Sequence, residues 1–277
     1  MRPVVRIVDL GAVGVPASPS LLDDFRDLSR ADRRPDRPGG RGLVLAEGTV
    51  VVRRLLASPY PPRALLGVPR RIDELAAELD GLDVPAFVTD AATMADVVGF
   101  HLNRGVLASA DRAPVPDLGA LLAAATRVAV LEGVNDHENL GSLFRNAAAL
   151  GVDAVLLAPG CADPLYRRSV RVSMGHVLRV PFVAGTWEEL VSALRAHGYV
   201  LGALTPAGDV GPAALADHPR VALLLGAEGP GLSAEALALA DHRVRITMVP
   251  GVDSLNVATA GAVAFHAVGS PSTAGCG

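Results

Sequence analysis

Residues 223–233 read Leu-Leu-Leu-Gly-Ala-Glu-Gly-Pro-Gly-Leu-Ser. The apolar start, the glycine-rich middle and the residues after Ser233 predict a buried strand, a loop and a helix that Ser233 caps. Open α/β sheets bind ligands at the carboxyl ends of their strands, and glycines let a ligand approach the backbone closely. The stretch therefore predicts a ligand-binding loop in an α/β sheet, with an ordinary strand-to-helix turn as the alternative.

The residues inside this loop argue against a phosphate ligand. Glu228 occupies the position of the second glycine in a dinucleotide-binding fingerprint, and its carboxylate would repel a pyrophosphate. Pro230 stiffens the loop, and the Gly-Lys-Ser/Thr sequence of a Walker loop does not follow it. An adenosine ligand that carries a cationic sulfonium matches this charge better than a nucleoside phosphate does.

Two further stretches combine short polar side chains with helix starts. Residues 139–147, Asn-Leu-Gly-Ser-Leu-Phe-Arg-Asn-Ala, predict a helix that Asn139 caps, with Arg145 too far along to share its face. Residues 254–260, Ser-Leu-Asn-Val-Ala-Thr-Ala, predict a helix that begins at Ser254 and offers free N–H groups to a ligand. For the first stretch, the alternative to a functional role is an Asn-capped helix with a surface arginine. For the second, it is a helix for which Ser254 is only a cap. Because no Gly-x-Ser-x-Gly surrounds Ser254, a hydrolase elbow is excluded.

Strands and helices alternate along both halves of the chain, which predicts an α/β fold. In the second half, where the alternation is clearer and the strands are apolar, it predicts a parallel sheet covered on both faces. In the first half the predicted strands are 42–45, 64–67, 85–88 and 105–109, and the predicted helices are 49–56, 72–79 and 91–98. In the second half the predicted strands are 127–131, 154–158, 199–204, 221–225 and 243–247, and the predicted helices are 139–150, 164–173, 187–197, 234–240 and 254–268. Residues 1–20 are expected to be a loosely structured lead-in, 33–42 a loop and 111–119 a linker. The predicted domains are 1–112 and 120–270.

Composition and charge restrict the class of protein. Half of the 277 residues are apolar, the net charge is −4, and Cys161 and Cys276 lie far apart. No apolar run reaches the ~18 residues of a membrane span, and no signal peptide is recognisable, so we expect a soluble cytoplasmic protein. The seven histidines lack metal-ligand spacing, so we expect no metal site. Residues 26–71 contain eleven arginines and four acids, a balance that suits phosphate binding. A coding bias is the alternative, because the whole chain contains no lysine.

Taken together and in order, the three stretches resemble the SpoU-type, TrmH-like RNA 2′-O-ribose methyltransferases of the SPOUT class. The first stretch matches the family pattern Asn-x-Gly-x-x-x-Arg-x-Ala at Asn139, Gly141, Arg145 and Ala147. The second matches Leu-x-x-Gly-x-Glu-x-x-Gly-Leu at Leu223, Gly226, Glu228, Gly231 and Leu232. The third matches Ile-x-Met followed by Ser-Leu-Asn-Val, at Ile246, Met248 and residues 254–257. Thr247 replaces the family's usual proline, and Ala258 replaces a frequent serine.

This resemblance implies a parallel sheet with a C-terminal trefoil knot, an obligate homodimer and S-adenosylmethionine as the cofactor. It assigns catalysis to Arg145, assisted by Asn139, Ser254 and Asn256. The implied cofactor contacts fall on Gly226, Glu228, Ile246, Leu255, Leu204, Thr205 and Met248.

A looser resemblance concerns the N-terminal half. Ala46-Glu47-Gly48, followed by residues 51–58, resembles the small ribosomal-protein-like α/β domain that binds substrate in many rRNA-modifying members of the family. It implies RNA contacts in the basic stretch and favours 23S rRNA over tRNA as the substrate. The candidate RNA-binding residues are Arg30, Arg33, Arg34, Arg53 and Arg54.

An arginine that stays charged near neutral pH is a poor base. We therefore expect Arg145 to position a substrate phosphate and to stabilise a developing alkoxide, while a role as the base stays open. A tRNA 2′-O-methyltransferase and a non-catalytic RNA-binding protein are the alternatives with the same fold, and a nucleotide-binding oxidoreductase is the alternative outside it. The sequence does not indicate which nucleotide is modified, or whether the purpose is housekeeping or antibiotic resistance.

Overall fold

The computed structural model describes residues 6–16, 20–28 and 42–269. These residues form two compact units, of which the first contains the described residues up to 114 together with residues 165–179. The second unit contains residues 115–164 and 180–269. The segment 165–179, which the sequence placed inside the second domain, therefore packs in the first unit. The loop predicted at 33–42 lies outside the described residues except for Gly42.

In the first unit, the five strands that the structure describes form a mixed sheet in the order β1-β4-β3-β5-β2. The strands are β1 (Arg6–Asp9), β2 (Val44–Glu47), β3 (Pro62–Gly67), β4 (Pro85–Val88) and β5 (Val106–Ala110). The helices are α1 (Leu10–Val13), α2 (Thr49–Leu56), α3 (Pro69–Asp73), α4 (Ala76–Leu79), α5 (Ala91–Val98) and α8 (Arg167–Val172), with short 3₁₀ turns at Leu21–Phe25 and His176–Leu178. β1 and β3 run parallel to β4, whereas β2 and β3 run antiparallel to β5.

In the second unit, the six described strands form a parallel sheet in the order β11-β9-β10-β6-β7-β8. The strands are β6 (Arg127–Glu132), β7 (Ala154–Leu157), β8 (Phe182–Ala184), β9 (Val200–Leu204), β10 (Val221–Gly226) and β11 (His242–Val244). The helices are α6 (Leu118–Ala124), α7 (His137–Ala149), α9 (Trp187–Ala196), α10 (Ala234–Leu239) and α11 (Val257–Val268), with a 3₁₀ turn at Pro212–Leu215. The central strands β6 and β10 are buried along their apolar lengths, as the runs of aliphatic residues in a parallel sheet require. Their register sets Gly226 beside Glu132, so the two strands end side by side.

Several segments differ from the sequence-based expectation. Residues 6–9, expected to be loose, form β1 because their backbone pairs with β4. The expected helix 72–79 is divided into α3 and α4 around Leu75, whose side chain is fully buried. The expected linker 111–119 already contains the start of α6, because the Asp117 side chain caps the first turn of that helix.

Some of the remaining strands and helices are shorter than predicted, and others have the predicted bounds. The strand expected over 243–247 ends at Val244, and the helix expected over 164–173 covers only Arg167–Val172. The helix 49–56, the strand 85–88 and the helix 91–98 have the predicted bounds. Among the helices in the described part of the chain, none is long and apolar enough to cross a bilayer.

Candidate active site

A cavity of about 650 Å³ lies at the carboxyl ends of β9 and β10 in the second unit. A volume of this size is typical of sites for drug-sized ligands. All seven residues predicted to contact a cofactor line it, namely Leu204, Thr205, Gly226, Glu228, Ile246, Met248 and Leu255. Ser254 and Asn256, predicted to assist catalysis, also line the cavity.

The loop over residues 226–233, called here the glycine loop, folds back tightly on its own first residue. The Gly231 amide donates to the Ala227 carbonyl at 3.0 Å, and these two residues form an antiparallel bridge. A Cβ atom on Gly226 would lie 2.1 Å from the Gly231 carbonyl carbon, well inside van der Waals contact. The close approach of two backbone segments therefore requires glycine at position 226, whether or not a ligand is bound there.

The helix that was predicted to begin at Ser254 begins three residues later. α11 starts at Val257, and its cap is Asn256, whose Oδ1 accepts from the amides of Ala258 at 2.9 Å and Thr259 at 3.2 Å. Ser254 is exposed and precedes the helix, so the predicted helix start at Ser254 is wrong, and so is the alternative in which Ser254 is a plain cap. The prediction failed because serine and asparagine are comparable capping residues, and only the chain path decides between them.

The Asn256 side chain joins all three sequence stretches. Because its Oδ1 caps α11, its Nδ2 points the other way and donates to Asn139 Oδ1 at 2.7 Å and to Glu228 Oε1 at 2.5 Å. Asn139 is not the cap of α7, as had been predicted, since that helix begins at His137 and the Asp136 side chain caps it. The Asn139 side chain is thereby left to face Asn256, and no partner of its own Nδ2 is found among the described residues.

Arg145 is not brought into this cluster. It lies six residues beyond Asn139 on α7, about 9 Å along the helix axis, and its side chain is exposed. It does not line the cavity, and no hydrogen bond or ion pair of its guanidinium is found in the described part of the chain.

Sequence reasoning missed two residues beside the glycine loop. Glu132 ends β6, and its Oε2 accepts from the Ser233 amide at 2.8 Å, while its Oε1 accepts from Trp187 Nε1 at 2.8 Å. A carboxylate at the end of a central strand of a parallel sheet was a usable signal, since such strand ends form ligand sites. The contact with Trp187 could not have been predicted, because 55 residues separate the two in sequence.

The predicted RNA-binding arginines belong to the first unit or lie outside the described residues. Arg53 Nε donates to Glu78 Oε1 at 2.6 Å and Arg53 Nη2 to the Glu74 carbonyl at 2.6 Å. Arg54 donates to the Met174 carbonyl. Arg30, Arg33 and Arg34 fall in the range 29–41, which the structure does not describe.

Within residues 6–16, 20–28 and 42–269, no group of three or more His, Cys, Asp or Glu side chains that could hold a metal ion occurs. The candidate site is built from amide, hydroxyl and carboxylate groups around a largely apolar cavity.

Comparison with known proteins gives concordant matches. Residues 126–266 match the model of the SpoU rRNA Methylase family. The chain is 58% identical over 250 residues to an uncharacterized tRNA/rRNA methyltransferase of Mycobacterium tuberculosis, a match that covers 88% of this chain and 87% of that protein. It is 31% identical over 145 residues to the 23S rRNA (guanosine(2553)-2′-O)-methyltransferase of Bacillus subtilis, covering 52% of this chain and 58% of that enzyme.

A solved structure shares the fold over nearly the full chain. The AdoMet-bound rRNA methyltransferase from Sinorhizobium meliloti superposes with a TM-score of 0.77 at 23% identity. The superposition covers 95% of this chain and 97% of that one. At this level of identity the likeness concerns the fold.

Proposed function

The chain belongs to the SpoU rRNA methylase family of RNA methyltransferases, and from this premise we propose that it transfers a methyl group from S-adenosylmethionine to a ribose 2′-hydroxyl of RNA. The observation that carries the proposal is the contact of Asn256 with Asn139 and Glu228 at the edge of the cavity. This contact unites the three short sequence stretches in one place, although they are far apart along the chain.

The cavity suits S-adenosylmethionine in shape and in charge. Leu204, Ile246 and Leu255 give it an apolar wall for an adenine ring. The exposed Glu228 carboxylate contributes a negative charge, which favours a cationic ligand over a phosphate. When bound, the cofactor supplies an electrophilic methyl group on its sulfonium.

The polar side chains beside the cavity are proposed to hold the ribose. Asn139, which is bound to Asn256 beside the cavity, offers its Nδ2 hydrogens. Ser254, which lines the cavity, offers an exposed hydroxyl. Positioning the 2′-oxygen in this way converts a bimolecular encounter into an oriented reaction. Arg145, which keeps its charge near neutral pH, is proposed to bind a substrate phosphate and to stabilise the oxygen as it loses its proton.

We further propose that the second unit forms the trefoil knot and that the protein is a homodimer. α11 packs against α7, where Asn146 Nδ2 donates to the Ala258 carbonyl at 2.8 Å and where Gly261 has no room for a Cβ beside Leu143. The C-terminal helix α11 therefore lies against α7 beside the cavity. A C-terminal helix that passes through a knot would be expected to pack in this way. Val249, Val252 and Leu255 are exposed on the loop before α11, an apolar surface that a second copy would cover.

The proposed substrate is 23S rRNA. The Bacillus subtilis relative is named as an enzyme of 23S rRNA, although it matches only about half of this chain. The more similar mycobacterial relative is named for both tRNA and rRNA. Transfer to tRNA is therefore the alternative outcome of the test below.

The test is methyl transfer from labelled S-adenosylmethionine to separate pools of deproteinised rRNA, ribosomal subunits and tRNA. We expect label in an rRNA pool, in a dinucleotide that resists alkaline hydrolysis, because a methylated 2′-oxygen cannot attack the adjacent phosphate. Label on an alkali-sensitive nucleotide would refute the ribose assignment, and label in tRNA alone would refute the rRNA assignment. Absence of transfer from a wild-type protein that binds the cofactor would favour a non-catalytic RNA-binding protein.

Arg145→Ala separates binding from transfer in the same assay. We expect this variant to lose nearly all transfer while it binds S-adenosylmethionine as tightly as the wild type in calorimetry, because Arg145 does not line the cavity. The matched control is Arg243→Ala, which removes another exposed arginine of the second unit. Equal activities of the two variants would remove Arg145 from the proposed catalytic group.

A further inference from the structure

Glu132 touches neither the cavity nor the proposed ribose-binding groups, yet it holds the glycine loop at both ends. At the first end, the register of β6 and β10 pairs Glu132 with Gly226. At the second end, Glu132 Oε2 accepts from the Ser233 amide at 2.8 Å, at the point where the loop passes into α10. The backbone of Glu132 therefore lies beside the first residue of the loop, and its carboxylate binds the last residue.

The second oxygen of the same carboxylate is bound to the first residue of α9. Trp187 Nε1 donates to Glu132 Oε1 at 2.8 Å. The Trp187 ring is buried, and it shares a hydrophobic cluster with Leu232 of the glycine loop and with Ala236 of α10. The indole is thus linked to the loop twice, through the carboxylate and through packing.

The backbone after Glu132 is also fitted closely to the loop. Gly133 has a φ of +66°, and a Cβ at this position would lie 3.3 Å from the Ala227 Cβ. The turn that leaves β6 therefore lies directly against the second residue of the glycine loop. The loop is therefore in close contact with β6 and its turn at Ala227 and at Ser233.

We propose that Glu132 is a positioning residue that fixes the glycine loop for the cofactor, and that Trp187, the single tryptophan of the chain, reports the state of this loop. The inference rests on the proposed function in so far as the glycine loop is taken to be a cofactor loop. A carboxylate suits the task because its two oxygens accept from two separate N–H donors. A glutamine at this position has one acceptor oxygen instead of two, so it would present its own N–H₂ group to one of the two donors.

The first test needs no ligand. Hydrogen exchange is measured on unliganded wild type, Glu132→Gln and Glu235→Gln, the last being a control that removes an exposed carboxylate of α10. We expect the amides of residues 231–233 to exchange about tenfold faster in Glu132→Gln than in the other two proteins, because an N–H donor loses its acceptor. Equal exchange in all three proteins would overturn the proposal, whatever the chain does with RNA or cofactor.

The second test uses the cofactor and Trp187 emission. Titration of the wild type with S-adenosylmethionine is expected to change the emission of Trp187, with the same midpoint that calorimetry gives. In Glu132→Gln we expect the dissociation constant for the cofactor to rise about tenfold and the emission change to be reduced. The KM for the cofactor should rise, while kcat at saturating cofactor changes less than twofold, since Glu132 does not touch the reacting groups. A dissociation constant within twofold of the wild-type value would contradict the proposal.

Trp187→Phe separates the two links of the indole. Phenylalanine keeps a ring in the hydrophobic cluster but removes the Nε1 donor, so we expect the loop to exchange faster than in wild type and slower than in Glu132→Gln. If this variant behaves like Glu132→Gln, the indole rather than the carboxylate is the main support of the loop, and the role assigned to Glu132 is wrong. If the wild type does not bind S-adenosylmethionine at all, the proposed function fails, whereas the exchange experiment still decides the role of Glu132.

Discussion

The amide of Asn256 performs two tasks with its two ends. Its Oδ1 caps α11, and its Nδ2 binds Asn139 and Glu228. A side chain with only acceptors could keep the first task and would lose the second. The two tasks can therefore be separated by a substitution that leaves the shape almost unchanged.

We predict that Asn256→Asp keeps the cap and loses the cluster. An aspartate caps a helix as well as an asparagine does, so the melting temperature should change little. Its carboxylate would face Glu228 and Asn139 Oδ1, and two hydrogen bonds would be replaced by repulsion. We expect methyl transfer to fall by about ten- to a hundredfold, as measured in the labelled-methyl assay.

Asn256→Ala is the comparison variant for this prediction. It removes the cap as well, so it should lose both the transfer and about 1 kcal/mol of the free energy of unfolding. If Asn256→Asp transferred methyl groups at the wild-type rate, Asn256 would be a cap without a role in the site.

The thiol of Cys161 is expected to be almost inert in the folded protein. Burial raises the pKa of Cys161 to about 11, and its Sγ lies 3.1 Å from the Leu131 carbonyl oxygen. Since the thiolate is the reactive form, alkylation by iodoacetamide at pH 8 should be about a hundredfold slower in native protein than in urea-unfolded protein. The rate should then rise about tenfold per pH unit towards pH 11.

Peptide-resolved mass spectrometry measures this reaction separately from that of Cys276. The unfolded sample provides the reference rate for the same peptide. A native rate at pH 8 within a factor of ten of the unfolded rate would show that the thiol is not protected in this way.

The helices and strands whose ends are marked by nearby residues were predicted more accurately than those that form only through pairing with a distant part of the chain. The helix 91–98 has its predicted bounds because Asp90 caps it and Gly99 ends it in a left-handed conformation, both of which are local choices. By contrast, β1 exists only through its pairing with β4. No property of residues 6–9 themselves indicates that partner.

The same distinction explains the candidate site. The cavity-lining residues were predictable, because the three stretches carry recognisable spacing and resemble a known family. The Asn139–Asn256 bond and the Glu132–Trp187 bond join residues that are 117 and 55 positions apart. Each polar residue had several capping or surface roles open to it in the sequence, and only the fold selected one.

The end of α11 is held by a buried arginine of β6. Arg127 Nε donates to the Val268 carbonyl at 2.7 Å, at the last turn of the helix. Its other nitrogens donate to the carbonyls of Thr126, Pro219 and Ala216 at 3.0–3.2 Å. The guanidinium therefore satisfies four carbonyls, one of which is in the C-terminal helix that carries Asn256 at its other end.

We predict that Arg127→Met destabilises the protein by about 2–4 kcal/mol, because one buried carbonyl and three partly buried carbonyls lose a charged donor at once. Calorimetry should show a melting temperature lower by several degrees, and exchange should be faster in the last turn of α11. Arg145→Met is the matched control, since the exposed arginine on α7 has no such contacts in the described chain, and it should change stability by less than about 0.5 kcal/mol. Equal melting temperatures for the two variants would mean that the buried arginine does not secure α11.

At the scale of the whole chain, the first unit is built from two distant parts of the sequence. Residues 165–179 contain four arginines, one histidine and no acid. Arg167 is used within the unit, with its guanidinium carbon 4.8 Å from the centre of the Phe100 ring and Nη2 donating to the Leu28 carbonyl at 3.2 Å. Arg167 is half-buried, and desolvation by this burial lowers the pKa of its guanidinium.

Arg171 lies in the same segment, and its guanidinium differs from that of Arg53 in its hydrogen-bond and ion-pair partners. Arg171 is exposed on α8, and no ion pair of it is found within the described ranges. Arg53 is held by Glu78 and by the Glu74 carbonyl, so its charge is already partly compensated. If the first unit binds RNA, as the resemblance of the N-terminal half implies, Arg171 should contribute more to phosphate binding than Arg53 does.

We predict that Arg171→Glu weakens binding to rRNA about tenfold at low salt and reduces the slope of log affinity against log salt by about one, because one phosphate contact is lost. Arg53→Gln should weaken binding less, and Arg243→Glu, an exposed charge reversal in the second unit, serves as the control for net charge. Filter binding at several salt concentrations measures all three, and cofactor binding by calorimetry confirms that each variant retains its cavity. Equal losses for Arg171→Glu and Arg243→Glu would mean that binding follows net charge, and the segment 165–179 would then have no specific part in holding RNA.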